Sequence, residues 1–128
     1  MSFDYTRLEK SELGLLRGKL VYIAGPYRST NGRSVLENIR AAERVAIDLA
    51  RAGVHFVCPH LNTAFRGGHG DHSGVVDDDA FWLEMDLNIL RRCDAVLLID
   101  GWCDSAGALG EVAYAAEFQL PIFEHEEA

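Results

Sequence analysis

The chain has 128 residues, of which 48% are hydrophobic and 25% charged, and its formal net charge is -8. This length and composition predict one folded domain with its own core and exclude a disordered chain. The acidic balance argues against a nucleic-acid polymer as partner, because such binding needs Lys and Arg to neutralise phosphates. No apolar run approaches the ~20 residues that span a bilayer, so no membrane segment is predicted. Three cysteines without a CxxC pair suit free thiols in a reducing cytoplasm.

Strands and helices are predicted to alternate along the chain, after an opening segment at 7–18 that is predicted as a short helix. The elements that follow, in chain order, are a strand at 19–25, a helix capped at Ser34 and stopped by Gly53, a strand at 54–59, a loop at 60–78, a helix at 79–93, a strand at 94–100, a helix at 105–119 and a strand at 120–123. Continuous apolar strands between helices are typical of a parallel sheet covered on both faces. The sequence therefore predicts a single α/β domain over 1–128 with its core at 19–123.

Polar and glycine-rich segments directly follow the predicted strands. In a parallel α/β fold, ligands bind beyond the carboxyl ends of the strands. The first such segment, "GPYRSTNGR", begins at Gly25 and contains Arg28, Ser29 and Thr30. Its glycine spacing fits neither a P-loop nor a GxGxxG fingerprint. The segment is either a cradle for a phosphate or carboxylate, or a polar loop with a solvated arginine.

Two acids lie in apolar or small-residue surroundings. The helix neighbours of Asp86 are Trp82, Leu83, Ile89 and Leu90. Because an unpaired charge is costly to bury, Asp86 either meets a partner or faces a pocket. Glu111 lies on the second turn of a helix that Ser105 would cap, above Gly107 and Ala108. The small residues indicate close approach of a ligand or of a neighbouring helix. The alternative is close packing of this helix on a strand with Glu111 exposed. We favour a functional site at both acids.

A metal site is not predicted, and no cofactor is expected. The loop at 60–78 contains His60, His69 and His72, but no HExxH or DxDxDG frame surrounds them. Cys58 and Cys93 show no nucleophile motif and are predicted to fill the core.

Three segments together resemble the nucleoside 2-deoxyribosyltransferase superfamily. These are "VYIAGPYR", "WLEMDLNILRRCDAVLLI" and "DSAGALGEVAYA", and the resemblance extends from Lys19 to Phe123. Within the superfamily, the chain is most similar to the small 2'-deoxynucleoside 5'-phosphate N-hydrolases. The resemblance implies a flavodoxin-like (Rossmann-like) three-layer α/β/α sandwich with a parallel sheet of about five strands. It also implies a homodimer or larger homo-oligomer that acts on a small-molecule nucleoside or nucleotide.

The catalytic residues that the resemblance implies are Glu111, Asp86 and Tyr22. Cleavage of an N-glycosidic bond develops positive charge on the sugar, which a carboxylate can stabilise or attack. Glu111 would be this nucleophile and Tyr22 would hold its carboxylate by a hydrogen bond. Asp86 would orient the sugar or pass a proton to the leaving base.

The substrate-binding residues that the resemblance implies are Arg28 and Ser105 for a 5'-phosphate, with Gly25 and Gly107 beside it. The chain departs from the hydrolases at Pro26, where they carry a serine, and in a longer loop at 60–78. The C-terminal "FEHEEA" is acidic, whereas the family usually completes its site with a residue from this region of the partner subunit.

Hydrolysis of a (deoxy)nucleoside 5'-monophosphate is the function that these features favour. Two alternatives stay open: base exchange between deoxynucleosides, and a non-catalytic module that binds a nucleotide. A nucleotide phosphoribohydrolase is less favoured, because "SAGALGE" lacks the Gly-Gly and Thr of the G-G-x-G-T-x-x-E motif.

Overall fold

The structure, a computed structural model, describes residues 3–27, 32, 34–59 and 79–126. Five strands form one sheet: β1 (Thr6–Glu9), β2 (Leu20–Ala24), β3 (His55–Val57), β4 (Ala95–Leu98) and β5 (Ile122–Glu126). The α-helices that pack on it are α1 (Val35–Arg51), α2 (Asp79–Leu90) and α3 (Ala106–Glu117). The strand order is β1-β5-β4-β2-β3, and every neighbouring pair is parallel. The predicted α/β class and parallel five-strand sheet are confirmed.

Alternate residues of β2 face opposite sides of the sheet, as the twofold period of a strand requires. Val21 and Ile23 belong to a core cluster with α1 and with a 3₁₀ helix at Lys10–Leu16. Tyr22 and Ala24 belong to a second cluster with α2 and α3. Helices therefore cover both faces, which completes the predicted three-layer sandwich.

Helix α1 begins and ends where the sequence predicts. The Ser34 hydroxyl accepts a hydrogen bond from the backbone N–H of Glu37, and the Glu37 carboxylate accepts one from the N–H of Ser34, each at 3.1 Å. Gly53 follows the helix with a φ of 79°, a left-handed conformation that glycine adopts without strain. The predicted capping box and stop are both confirmed.

The N-terminal segment differs from its prediction. Instead of one helix at 7–18, it forms strand β1 and then the 3₁₀ helix at Lys10–Leu16. In β1 only Leu8 is buried, because this strand lies at the edge of the sheet and pairs on one side with β5. The sheet thus extends beyond the predicted core of 19–123 at both ends, since β5 continues to Glu126.

Side chains at the carboxyl end of the sheet fix this edge strand. The Glu124 carboxylate forms an ion pair with Arg7 of β1 at 2.7 Å. It also accepts a hydrogen bond from the indole N–H of Trp102 at 2.7 Å. Trp102 opens a 3₁₀ turn, Trp102–Asp104, between β4 and α3. One carboxylate therefore joins β1, β5 and the segment that leads into α3.

Candidate active site at the carboxyl ends of β2 and β4

Strands β2 and β4 are neighbours at the point in the sheet where the chain changes the side on which it adds its next strand. From β2 the chain crosses to β3 on one side, and β4 then pairs with β2 on the other. The backbone N–H of Ile99 donates to the carbonyl of Ala24 at 3.0 Å, so the two strand ends leave the sheet together. Such a switch point is the place where open α/β sheets bind ligands.

A buried tyrosine and a buried glutamate meet on the α3 side of this switch point. The Tyr22 hydroxyl of β2 donates a hydrogen bond to Oε2 of Glu111 on α3. Tyr22 is fully buried, and Glu111 is 9% exposed. The sequence alternative in which Glu111 is simply exposed is therefore wrong. The structure pairs Glu111 with Tyr22, the partner that the family resemblance implies.

Asp86 contributes a second acid to this pair from α2. Its Oδ1 atom is buried, and its charge acts on both Tyr22 and Glu111. Three predicted catalytic residues from β2, α2 and α3 are thus brought together. Their sequence separations are large, so only the packing of both helices on the sheet assembles them.

Burial controls the ionisation of this cluster. It raises the pKa of Glu111 from an ordinary 4.5 to about 8, although the Tyr22 hydrogen bond lowers it and the Asp86 charge raises it further. Burial also raises the pKa of the Tyr22 hydroxyl, to which the Glu111 and Asp86 charges add. The cluster is therefore poised to hold a proton on Glu111 at neutral pH, and to release it when a positive charge comes near.

Ser105 caps α3 as predicted, since its hydroxyl oxygen accepts from the N–H of Ala108 at 3.1 Å. It is 9% exposed. A serine hydroxyl that accepts a hydrogen bond can also donate one. The helix that it caps carries Glu111 on its second turn.

The glycines of α3 do not serve packing against the described parts of the chain. A Cβ at Gly110 would meet nothing within 4 Å, and one at Gly107 would meet only the Ser105 hydroxyl at 3.8 Å. Both are exposed. Close packing of α3 on a strand at these glycines is therefore not what the structure shows, and the predicted substrate contact of Gly107 stays a prediction.

Gly25 has a packing reason that the sequence does not indicate. A Cβ there would lie 2.2 Å from Cγ1 of Ile99, the residue that follows β4. Glycine is required because the two strand ends approach so closely. Its predicted phosphate contact is a separate matter and stays a prediction. Arg28, the predicted phosphate-binding arginine, lies outside the described residues, as do the loop at 60–78 and its three histidines.

Within residues 3–27, 32, 34–59 and 79–126, no group of three or more His, Cys, Asp or Glu could hold a metal ion. No helix in these ranges is long and apolar enough to cross a membrane.

Cys58 and Cys93 are buried in the two core clusters, as predicted. Burial, with the nearby Asp94 charge, raises the pKa of the Cys93 thiol to about 11, which makes it a poor nucleophile.

Comparison with known proteins gives a family and a fold. Residues 19–127 match the model of a family described as a domain of unknown function, DUF1937. The chain belongs to the DUF1937 family. A solved structure of a 2-deoxyribosyltransferase from the psychrotolerant bacterium Bacillus psychrosaccharolyticus superposes on this DUF1937 domain with a TM-score of 0.55. It has 21% sequence identity, and the match covers 82% of this chain and 70% of that one. No curated protein matches the sequence. The resemblance to the deoxyribosyltransferase superfamily is thereby confirmed for the fold.

One buried polar residue of the DUF1937 domain escaped the sequence prediction. Asn38 of α1 is fully buried, and its side-chain amide donates to the carbonyl of Tyr27 at 3.2 Å. The signal was available, because Asn38 lies four and seven residues before Ala42 and Val45 on the apolar side of the helix. It is the same signal that marked Asp86 on α2.

Proposed function

We propose that this DUF1937 protein cleaves the N-glycosidic bond of a (deoxy)nucleoside 5'-monophosphate, with Glu111 as nucleophile. The observation that carries the proposal is the buried Tyr22–Glu111 hydrogen bond beside Asp86 at the switch point between β2 and β4. Two carboxyl groups with a shared environment and a tyrosine donor suit a reaction that needs one nucleophile and one proton carrier.

The ionisation of Glu111 defines the order of events. In the free protein at neutral pH its carboxyl group is largely protonated, because its pKa is about 8. A protonated carboxyl group is a poor nucleophile. Positive charge that develops on the sugar favours the ionised form, and the Tyr22 hydroxyl stabilises it by donating to Oε2. Asp86 receives the proton that Glu111 releases.

The chemical steps then balance in two stages. A Glu111 oxygen bonds to the anomeric carbon as the bond between this carbon and the base nitrogen breaks. The base leaves with the electron pair and takes the proton from Asp86. Asp86 next accepts a proton from water, and the resulting hydroxide attacks the anomeric carbon. The ester bond breaks, which releases the sugar phosphate and Glu111.

A 5'-phosphate is the part of the substrate that Arg28 and the α3 N-terminus are proposed to bind. The capping Ser105 hydroxyl and the helix dipole favour an anion at this position. Among the predicted substrate residues, Gly107 is exposed on the first turn of α3, so a ligand reaches the helix backbone without meeting a side chain there.

Release of free base tests the proposal. The protein is incubated with each of the common nucleoside and 2'-deoxynucleoside 5'-monophosphates, and bases are quantified by chromatography. Glu111→Gln is expected to lower base release by at least about a hundredfold, because it removes the nucleophile. Glu117→Gln is the matched control, since Glu117 is exposed at the end of the same helix. A wild-type protein that releases no base from any substrate, or a Glu111→Gln variant with full activity, contradicts the proposal.

Base exchange is a second candidate, favoured by the likeness of the fold to the Bacillus 2-deoxyribosyltransferase. The same glycosyl-Glu111 ester would then be attacked by a second base instead of water. Addition of a free base should in that case accelerate substrate loss and yield the exchanged nucleoside. The third alternative, a binding module, predicts tight binding of a nucleotide in calorimetry without any product over hours.

We also propose that the protein assembles as a homodimer or larger homo-oligomer, as the resemblance implies, and that it works in the cytoplasm. Four large apolar side chains on α2, on α3 or directly after α3 are 42–49% exposed: Phe81, Leu83, Leu109 and Phe118. Light scattering coupled to size-exclusion chromatography measures the assembly directly, and a 14.2 kDa particle at all concentrations contradicts it.

A further inference from the structure

Asn38 is an asparagine in a position that otherwise suits an apolar residue. It lies on the stripe of α1 that faces the sheet, where the other buried residues are Ala41, Ala42, Val45, Ala46 and Leu49. Its side chain is fully buried. A buried amide is unfavourable relative to an apolar side chain unless it is hydrogen-bonded, so its partner explains why it is there.

That partner is the backbone that leaves β2. The Asn38 side-chain N–H donates to the carbonyl oxygen of Tyr27 at 3.2 Å, eleven positions earlier in the chain. The backbone N–H of Asn38 meanwhile closes the first turn of α1 on Ser34, at 3.0 Å. Asn38 is therefore held by a capped helix end, and it holds Tyr27 in turn.

The position of Tyr27 connects this contact with the candidate site. Tyr27 comes two residues after Gly25, where β2 and β4 leave the sheet at the switch point. Its carbonyl belongs to the peptide group that joins it to Arg28, the arginine predicted to bind phosphate. The hydrogen bond from Asn38 holds the carbonyl of Tyr27, the last described residue before the predicted phosphate-binding arginine in the sequence.

We propose that Asn38 is a positioning residue, which orients the chain leaving β2 for binding of the substrate 5'-phosphate. This role of Asn38 rests on the proposed function. It also assigns phosphate binding and bond cleavage to residues on different faces of the sheet. Asn38 and α1 pack on one face of the sheet, whereas Tyr22 and Glu111 lie on the other. Loss of Asn38 should therefore weaken nucleotide binding and leave the bond-breaking step nearly intact.

The test compares Asn38→Leu, which keeps the branching and the number of heavy atoms of the side chain, with the wild type. For the 2'-deoxynucleoside 5'-monophosphate that the wild type cleaves best, KM is expected to rise about tenfold, as for one lost hydrogen bond, while kcat changes less than about threefold. For the same nucleoside without its phosphate, KM should not change. Asn38→Ala, which fits a stripe of small residues, is the second variant should Asn38→Leu fail to fold.

Leu49→Ala is the matched control, because Leu49 is fully buried on the same stripe at the far end of α1. It should destabilise the protein without raising KM for the nucleotide. Equal KM values for wild type and both Asn38 variants would overturn the positioning role while the proposed function stands. A parallel rise in KM for the nucleotide and the unphosphorylated nucleoside, or the same rise in Leu49→Ala, would also overturn it.

Binding of the four common 2'-deoxynucleoside 5'-monophosphates, measured by calorimetry, separates the two proposals. If the wild type binds one of them but releases no base, the proposed catalysis fails. The positioning role is then judged by whether Asn38→Leu weakens that binding about tenfold. A wild type that neither binds nor cleaves any of the four overturns both.

Discussion

Replacement of Glu111 by Gln is expected to stabilise the folded protein at alkaline pH and to change its stability little near pH 4. Burial raises the pKa of Glu111 from 4.5 to about 8, against the lowering effect of the Tyr22 hydrogen bond. Between these two values the folded protein holds a proton that the unfolded chain has released. The free energy of unfolding of the wild type therefore falls as pH rises through this window. The loss of stability is complete once the pH is above the pKa of Glu111 in the folded protein.

The size of the effect follows from the width of the window. Each pH unit between 4.5 and about 8 lowers the free energy of unfolding by about 1.4 kcal/mol, which amounts to about 5 kcal/mol across the window. This is comparable to the whole stability of a marginal domain, typically ~5–15 kcal/mol. A glutamine amide in the same place does not titrate, and its oxygen still accepts from the Tyr22 hydroxyl.

The assay is urea unfolding, followed by circular dichroism at pH values from 4 to 9 for wild type, Glu111→Gln and the control Glu117→Gln. All other titrating groups are shared, so the difference between the curves isolates Glu111. The free energy of unfolding of Glu111→Gln should exceed that of the wild type by an amount that grows steadily with pH and becomes constant above about pH 8. Parallel curves for all three proteins, or a Gln variant that is less stable at pH 9, would refute the account of a buried carboxyl held protonated.

Two neighbours of Glu111 should move its pKa in opposite directions, as measured by NMR titration of its carboxyl carbon. Tyr22→Phe removes the hydrogen bond that lowers this pKa and should raise it, whereas Asp86→Asn removes a like charge and should lower it; shifts of the same sign would contradict the arrangement. Gly25→Ala should cost about 1–3 kcal/mol of stability through the clash with Ile99. Ile99→Ala also destabilises the protein, because Ile99 is buried, but the double variant should lose less stability than the sum of the two single variants. Simple additivity of the two losses in denaturant unfolding would show that the contact is not the cause.

The interior strands β2 and β4 were predictable because each is a continuous run of apolar residues in the sequence. Strand β4 is buried at every position, and a continuous apolar run stands out in the sequence. Strand β1 has no such signal, since only Leu8 is buried there. What makes it a strand is pairing with β5 and the ion pair between Arg7 and Glu124, 117 positions apart. Local pattern cannot show a partner so distant.

The sequence predicted which acidic residues belong to the candidate site, but it did not predict their protonation state. Asp86 and Glu111 were marked by apolar or small neighbours. The contact of Glu111 with Tyr22 spans 89 positions and was implied only by the family resemblance. The raised pKa of Glu111 depends on how deeply two helices bury it, which no spacing of residues expresses. The packing reason for Gly25 was not predictable, because the side chain that requires a glycine there, Ile99, follows a strand that is distant in the sequence.

Asn38 shows how far the same reasoning could have gone. A polar residue on the apolar stripe of a helix is costly to bury, so it implies a specific hydrogen-bond partner. This rule marked Asp86 on α2, and it applies equally to Asn38 on α1, between its Ser34 cap and Ala42. The rule identifies the residue that needs a partner, and only the fold identifies the partner. For Asn38 the partner is the Tyr27 carbonyl, and this is what turns an unexplained core asparagine into a link between α1 and the predicted phosphate site.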